Sequence, residues 1–178
     1  GTTDIARIYG TFPSDDDQLT IEEAGDWLDH RLMELISKKY AGAQLTQSMV
    51  RRWKEEGSHV GDSGKEFMVD LSVEGKKQHV DIGDLIRLAC NDLVPHLVEG
   101  LKKIVAGADP EYQSALRNNI ILAGGGSLIE GLADRVAQQL ADIGDVTVWC
   151  AEDPVVRVAD GALKLASAMP DEMYTAIE

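Results

Sequence analysis

The residues best placed to do chemistry are a glycine triplet closing an apolar run, Ile120-Ile121-Leu122-Ala123-Gly124-Gly125-Gly126-Ser127. Three residues without a Cβ let the main chain turn through positive φ and let a flat ligand lie directly on the backbone. The next residues read as a helix start. Ser127 stands as its cap, Glu130 as the capping-box partner three residues on, and Leu128, Leu132, Val136 and Leu140 as an apolar stripe. Strand, glycine turn and helix amino terminus in succession can receive a nucleotide or another anion. The same triplet also serves as a plain tight connection between strand and helix. It is not a P-loop, because no Gly-Lys-Ser/Thr comes after it, and its glycines do not match G-x-G-x-x-G spacing.

Little else in the chain suggests metal or thiol chemistry. His30, His59, His79 and His96 share no metal-ligand spacing with one another or with the cysteines. Cys90 and Cys150 lie in apolar contexts, Leu88-Ala89-Cys90 and Val148-Trp149-Cys150, and read as buried reduced thiols. Trp27, Trp53 and Trp149 read as packing residues. The formal net charge of −14 argues against nucleic acid or anionic lipid as a partner. The nearest basic cluster, Arg51-Arg52-Trp53-Lys54, runs at once into Glu55-Glu56. No apolar run approaches the roughly 20 residues that cross a bilayer, and the chain does not open on a charged-then-apolar leader. The expectation is a cytoplasmic protein without direct membrane insertion.

The elements that position the triplet can be read from periodicity. The chain opens as though inside a strand, over residues 5–10, which suggests part of a longer polypeptide. A polar turn over residues 11–18 joins two short strands, and a helix over about residues 21–40 follows. Ala24, Trp27, Leu28, Leu32, Leu35 and Ile36 line one face of it, and Asp26, Asp29 and Glu34 point away. A shorter helix runs over residues 46–56. Alternating strands over 67–73 and 78–82 then flank Glu74-Gly75-Lys76-Lys77 as a hairpin. A long helix spans 84–105, with Pro95 expected to kink or break it. A short helix after Asp109-Pro110, the strand into the triplet, a helix to about 141, a strand over 146–150 and a last helix over 156–168 complete the chain. Strand–helix alternation in the final third predicts a parallel sheet. The block over residues 38–82 looks inserted: a small α+β subdomain within a larger α/β unit formed by residues 1–37 and 83–178.

With these elements in place the sequence resembles a known family. Thr2-Thr3-Asp4 after Gly1 looks like the end of the second phosphate loop of the actin, sugar kinase and heat-shock ATPase superfamily. The stretch from Leu122 through the triplet to Gly131-Leu132 resembles its adenosine motif. Within that superfamily the chain is most similar to the bacterial actins, above all the magnetosome-associated ones, with shape-determining actins next. The Asp16-Asp17-Gln18 turn, Lys54-Glu55-Glu56, Cys90-Asn91-Asp92-Leu93-Val94-Pro95 and Met169-Pro170-Asp171-Glu172 also look like that group. The resemblance implies an α/β, ribonuclease H-like lobe with a mostly parallel sheet. It covers one lobe of a two-lobed fold.

The resemblance further implies an ATP-dependent cytoskeletal filament protein of the cytoplasm, its nucleotide held between two lobes, with a role in organising magnetosome chains. It implies ATP or ADP with Mg²⁺ as cofactor. Partners would be further actin-like subunits and filament adaptors. Gly124, Gly125, Gly126 and Ser127 match the adenosine motif; Lys54 and Glu55, or Glu56 by one register, match positions that reach ribose and base. Gly1, Thr2 and Thr3 match the phosphate loop, and Asp4 the polar residue near the attacking water. On residue type alone, Lys54-Glu55 reads equally as a solvated helix end, and Asp4 as an ordinary strand carboxylate. The acidic start of the phosphate loop and the whole first lobe are absent, so the lobe alone is expected to bind nucleotide weakly and not to hydrolyse it. The alternatives are a lobe of a small-molecule, sugar-type kinase and a chaperone-type ATPase lobe.

Overall fold

Two long helices set the frame on which everything else is hung. The computed structural model describes residues 1–9 and 13–170. Gly10, Thr11 and Phe12, where the first strand was expected to end and the polar turn to begin, lie outside the described residues. So does the tail beyond Pro170. In chain order the strands are β1 (Thr3–Ala6), β2 (Gln18–Ile21), β3 (Ala43–Gln44), β4 (Met68–Val73), β5 (Lys76–Asp81), β6 (Ile120–Leu122) and β7 (Val148–Cys150). The helices are α1 (Gly25–Lys39), α2 (Gln47–Gly57), α3 (Gly83–Ala106), α4 (Pro110–Arg117), α5 (Leu132–Leu140) and α6 (Arg157–Ala168).

The core lies where α1, α2, α3 and α5 meet. Leu32 and Ile36 of α1, Val50 of α2, Ile86 and Val94 of α3, and Val136 and Leu140 of α5 are all fully buried. Each helix contributes one apolar stripe at 3.6-residue spacing, which is why four amphipathic segments close over one interior. Val69 and Leu71 of β4 reach the same interior. The helix α3 runs unbroken through Pro95, so of a kink or a break the break does not occur. Leu93, Val94, Leu97 and Val98 are buried on either side of the proline, and their burial outweighs the one amide hydrogen bond it lacks.

The strands form three separate small sheets among the described residues, and only β6 and β7 are parallel. The mostly parallel sheet is therefore not observed. Strands joined by short connections, β1–β2 and β4–β5, pair antiparallel because a parallel partner needs a long crossover. The pair β6–β7 has such a crossover, through α5. The first helix starts at Gly25, later than expected, because Gln18–Ile21 pairs with β1 instead. The second keeps its expected place, with the Thr46 hydroxyl accepting from the Met49 amide.

Leu88, expected toward the core, is exposed, and three further side chains in this part of the fold depart from expectation. Asp29, read as solvent-facing, is completely buried on α1. Cys150 and Trp149, read as buried, are exposed at the end of β7.

Candidate functional site

The glycine turn is held in place by its ends. The Gly124 amide donates to the Pro154 carbonyl at 2.9 Å, and the Ala151 amide donates to the Leu122 carbonyl at 2.9 Å. Gly124 itself sits at φ +82°, ψ 174°, a region open in practice only to glycine. The expected capping box does not form. Ser127 is buried, and its hydroxyl donates to the Gly124 carbonyl at 2.8 Å, closing the turn on itself. Residues 125–128 wind as a 3₁₀ turn, and α5 starts only at Leu132, after Gly131 in the left-handed conformation. Leu128 therefore leaves the apolar stripe and is exposed. Glu130 pairs with Lys65, whose ammonium lowers the carboxylate's pKa.

Gly125 and Gly126 have no such backbone reason to be glycine. Neither has positive φ, and a Cβ added at any of the three glycines would meet no other part of the chain within 4 Å. A glycine in that setting adds conformational entropy to the unfolded chain and gains nothing from internal packing. The missing side chains leave bare main chain facing open space, the cradle a planar ring requires.

Around this turn the structure joins the other expected residues through their neighbours. The Glu130 amide donates to the Ser58 carbonyl at 3.2 Å, and the Val60 amide donates to the Glu130 carbonyl at 2.9 Å, tying the turn to the end of α2. His59, between them, is buried. Its Nδ1 lies 3.0 Å from the Gly57 carbonyl, and its Nε2 accepts the Lys65 amide at 3.3 Å. With Nε2 accepting, Nδ1 donates to the Gly57 carbonyl, and the ring fixes the loop after α2.

Lys54 projects from the last turn of α2 onto α1. Its ammonium lies 2.6 Å from Asp29 Oδ1 and donates to the Gly25 carbonyl at 2.9 Å. Arg51, one turn earlier, donates to Asp29 Oδ2 at 2.9 Å and to Asp26 Oδ1 at 2.7 Å. These hydrogen bonds, that to Asp29 first, raise the guanidinium pKa further. Glu55 and Glu56 are exposed and make no hydrogen bond or ion pair among the described residues.

The Gly1 nitrogen reaches the same acidic pair, donating to Asp26 Oδ2 at 2.6 Å. The Thr3 hydroxyl donates to the Glu23 carbonyl at 2.8 Å. Asp4 is exposed on β1 and accepts from Thr20 at 2.6 Å and from Thr2 at 3.3 Å. The chain start and α2 thus converge on Asp26 and Asp29, and α2 leads on to the glycine turn. Asp26, Asp29 and Arg51 went unrecognised as the residues that join α1 to α2. Their signal was available: acids at i, i+3 on one helix match cations at i, i+3 on the next. Among the described residues no cluster of His, Cys, Asp or Glu could hold a metal ion.

Comparison with known proteins gives this geometry a family context. Residues 1–173 match the MreB/Mbl protein family. The chain is 35% identical over 174 residues to the actin-like protein MamK of Magnetospirillum gryphiswaldense, covering 98% of this chain and 48% of that protein. It is 34% identical to the actin-like protein MamK of Paramagnetospirillum magneticum, covering 98% of this chain and 50% of the relative. A MamK double helical filament superposes with a TM-score of 0.91 at 35% identity, over 96% of this chain and 52% of that one. A non-polymerising MamK mutant bound to AMPPNP gives a TM-score of 0.85 at 35% identity, over 94% and 51%. The chain spans about half the length of the relatives it matches.

Proposed function

Given that this chain belongs to the MreB/Mbl family of actin-like proteins, we propose that it is the nucleotide-binding second lobe of a cytoskeletal filament subunit. The observation that carries the reading is the glycine turn: two glycines that the fold does not need, on a face open to a ligand. In this reading the purine lies on Gly124–Gly126, with Ser127 closing the turn beneath it. Lys54 and Glu55 approach the ribose and base. Gly1, Thr2 and Thr3 offer amides and hydroxyls to phosphate oxygens, and Asp4 orients the attacking water. Bound ATP would supply the transferable phosphoryl group, with Mg²⁺ as its counter-charge. Residues 38–82 would form the smaller inserted subdomain on the core made by 1–37 and 83–178.

Filament assembly is the second part of the proposal. The relatives include a MamK double helical filament, which supports self-association with further actin-like subunits. In this reading the filament is cytoplasmic, runs along magnetosomes and takes adaptor proteins. Among the described residues no helix is long and apolar enough to cross a membrane. The relatives named above are actin-like proteins, so the kinase reading is not taken further. Phosphoryl transfer draws on charge and positioning from both sides of a cleft, so these residues alone bind nucleotide weakly and do not turn it over.

Hydrogen exchange with and without ADP tests the binding face. The amides of residues 124–127 should slow on adding ADP. Unchanged exchange at millimolar ADP would remove the nucleotide reading. A single-turnover assay with labelled ATP and Mg²⁺ should give no burst of product.

A further inference from the structure

Asp29 is the one carboxylate with no solvent exposure among the described residues, and nothing in the proposed function uses it. A buried charge persists in a fold only where close partners offset its lost hydration. Both of its partners come from one face of α2: Arg51 on Oδ2 at 2.9 Å and Lys54 near Oδ1 at 2.6 Å. The two cations differ in what else they can do. The Arg51 side chain is 46% exposed and shares itself with Asp26. The Lys54 side chain is only 13% exposed, and its ammonium has three N–H groups. The Gly25 carbonyl accepts one of them; Asp29 Oδ1 is held at ion-pair distance without a hydrogen bond and stays buried without a donor among the described residues. The next residue, Glu55, is exposed.

We propose that Asp29 is a positioning residue of the nucleotide site. Its charge holds the Lys54 ammonium in place so that an N–H not given to Gly25 is directed at ligand oxygen atoms, and it thereby sets the angle at which α2 displays Glu55. This role rests on the nucleotide reading given above. It also explains why a lysine that is nearly withdrawn from solvent stands at a ligand-facing helix end: its charge is held in register and need not swing.

An NMR titration of the 178-residue chain with ADP tests it, with circular dichroism to confirm folding. Asp29→Asn keeps the side-chain shape and removes the charge, and Lys54→Met removes the ammonium. Each should weaken ADP binding about tenfold, and the double variant should lose no more than either alone, the non-additivity of groups that act as one. Arg51→Met breaks the other half of the junction and should leave affinity within about twofold, which separates positioning from general α1–α2 cohesion. Equal losses for Arg51→Met and Lys54→Met, or wild-type affinity in a folded Asp29→Asn, would overturn the assignment. If Asp29→Asn does not fold, Asp29→Glu shifts the charge by one methylene, and unchanged affinity there overturns it too. A wild-type chain with no ADP-dependent shifts at residues 124–127 would instead overturn the nucleotide reading, and this role with it.

Discussion

Two regions of the proposed nucleotide face are built by opposite means. At the α1–α2 junction, Asp26, Asp29, Arg51 and Lys54 interlock through three ion pairs, one partner wholly buried. At the glycine turn the side chains are missing, and the main chain is held by bonds to Pro154 and Leu122 at its ends, by its own Ser127 and Ile129 amides, and by the Ser127 hydroxyl. The junction fixes direction, because charges in a low-dielectric setting tolerate little displacement. The turn supplies surface, because bare backbone admits a ring at contact distance. A site that must grip charged groups and accept a planar one needs both, and each leaves a different trace under mutation.

The largest effect is expected at the junction. Asp29→Ala leaves Lys54 without its buried partner, while Arg51 can turn to water, so the cost should be about 3 kcal/mol in urea unfolding. Arg51→Ala should cost about 1 kcal/mol or less, since its ion pairs are half exposed. Equal costs would mean that Arg51, rather than Lys54, offsets the burial of Asp29.

The asymmetry between the two cations was not legible in the sequence, whereas the turn was. Gly124-Gly125-Gly126 after three apolar residues announces itself by composition, and the hairpin of β4 and β5 by alternation around Glu74-Gly75. Family membership was legible for the same reason: short motifs in fixed order survive at 35% identity. Asp29 was misread because an acid on a helix counts as solvent-facing unless its partners are known, and Arg51 and Lys54 lie on a different helix. The start of α5 was misread because Ser127 spends its hydroxyl on its own turn, leaving Gly131 to begin the helix. Strand–helix alternation in the final third did give the parallel β6–β7 pair; the mostly parallel sheet that the resemblance implied is not observed, because β1–β2 and β4–β5 are joined by short connections.

The turn should respond next, and unevenly. Gly124→Ala forces a Cβ into a conformation reserved for glycine and should cost about 2 kcal/mol. Gly125→Ala and Gly126→Ala meet no internal obstacle and should change stability by less than about 0.5 kcal/mol in either direction. Yet both should weaken ADP binding, because the added methyl stands where the ring would lie. A loss of stability at Gly125 equal to that at Gly124 would mean the triplet serves only the fold.

The smallest effect in energy, and the sharpest in contrast, concerns the two thiols, one in each kind of environment. Cys90 is fully buried on α3 beside the loop that carries His59, and burial pushes its pKa up to about 11. Cys150 is exposed at the end of β7, with its Sγ 3.4 Å from the Ser127 carbonyl under the glycine turn. A thiol-specific reagent at pH 8 should therefore label one cysteine per native chain and two after denaturation. The folded pKa of Cys90 stands above the unfolded value of about 8.5, so the neutral buried thiol contributes its full stability below that pH. That contribution fades as pH rises from about 8.5 through 11, and Cys90→Ala should flatten this part of the alkaline stability profile. Because Cys150 bonds to the turn itself, ADP should also slow its labelling. Two thiols reacting at the same native rate would show that the core opens as readily as the turn, and the contrast between the two regions would collapse.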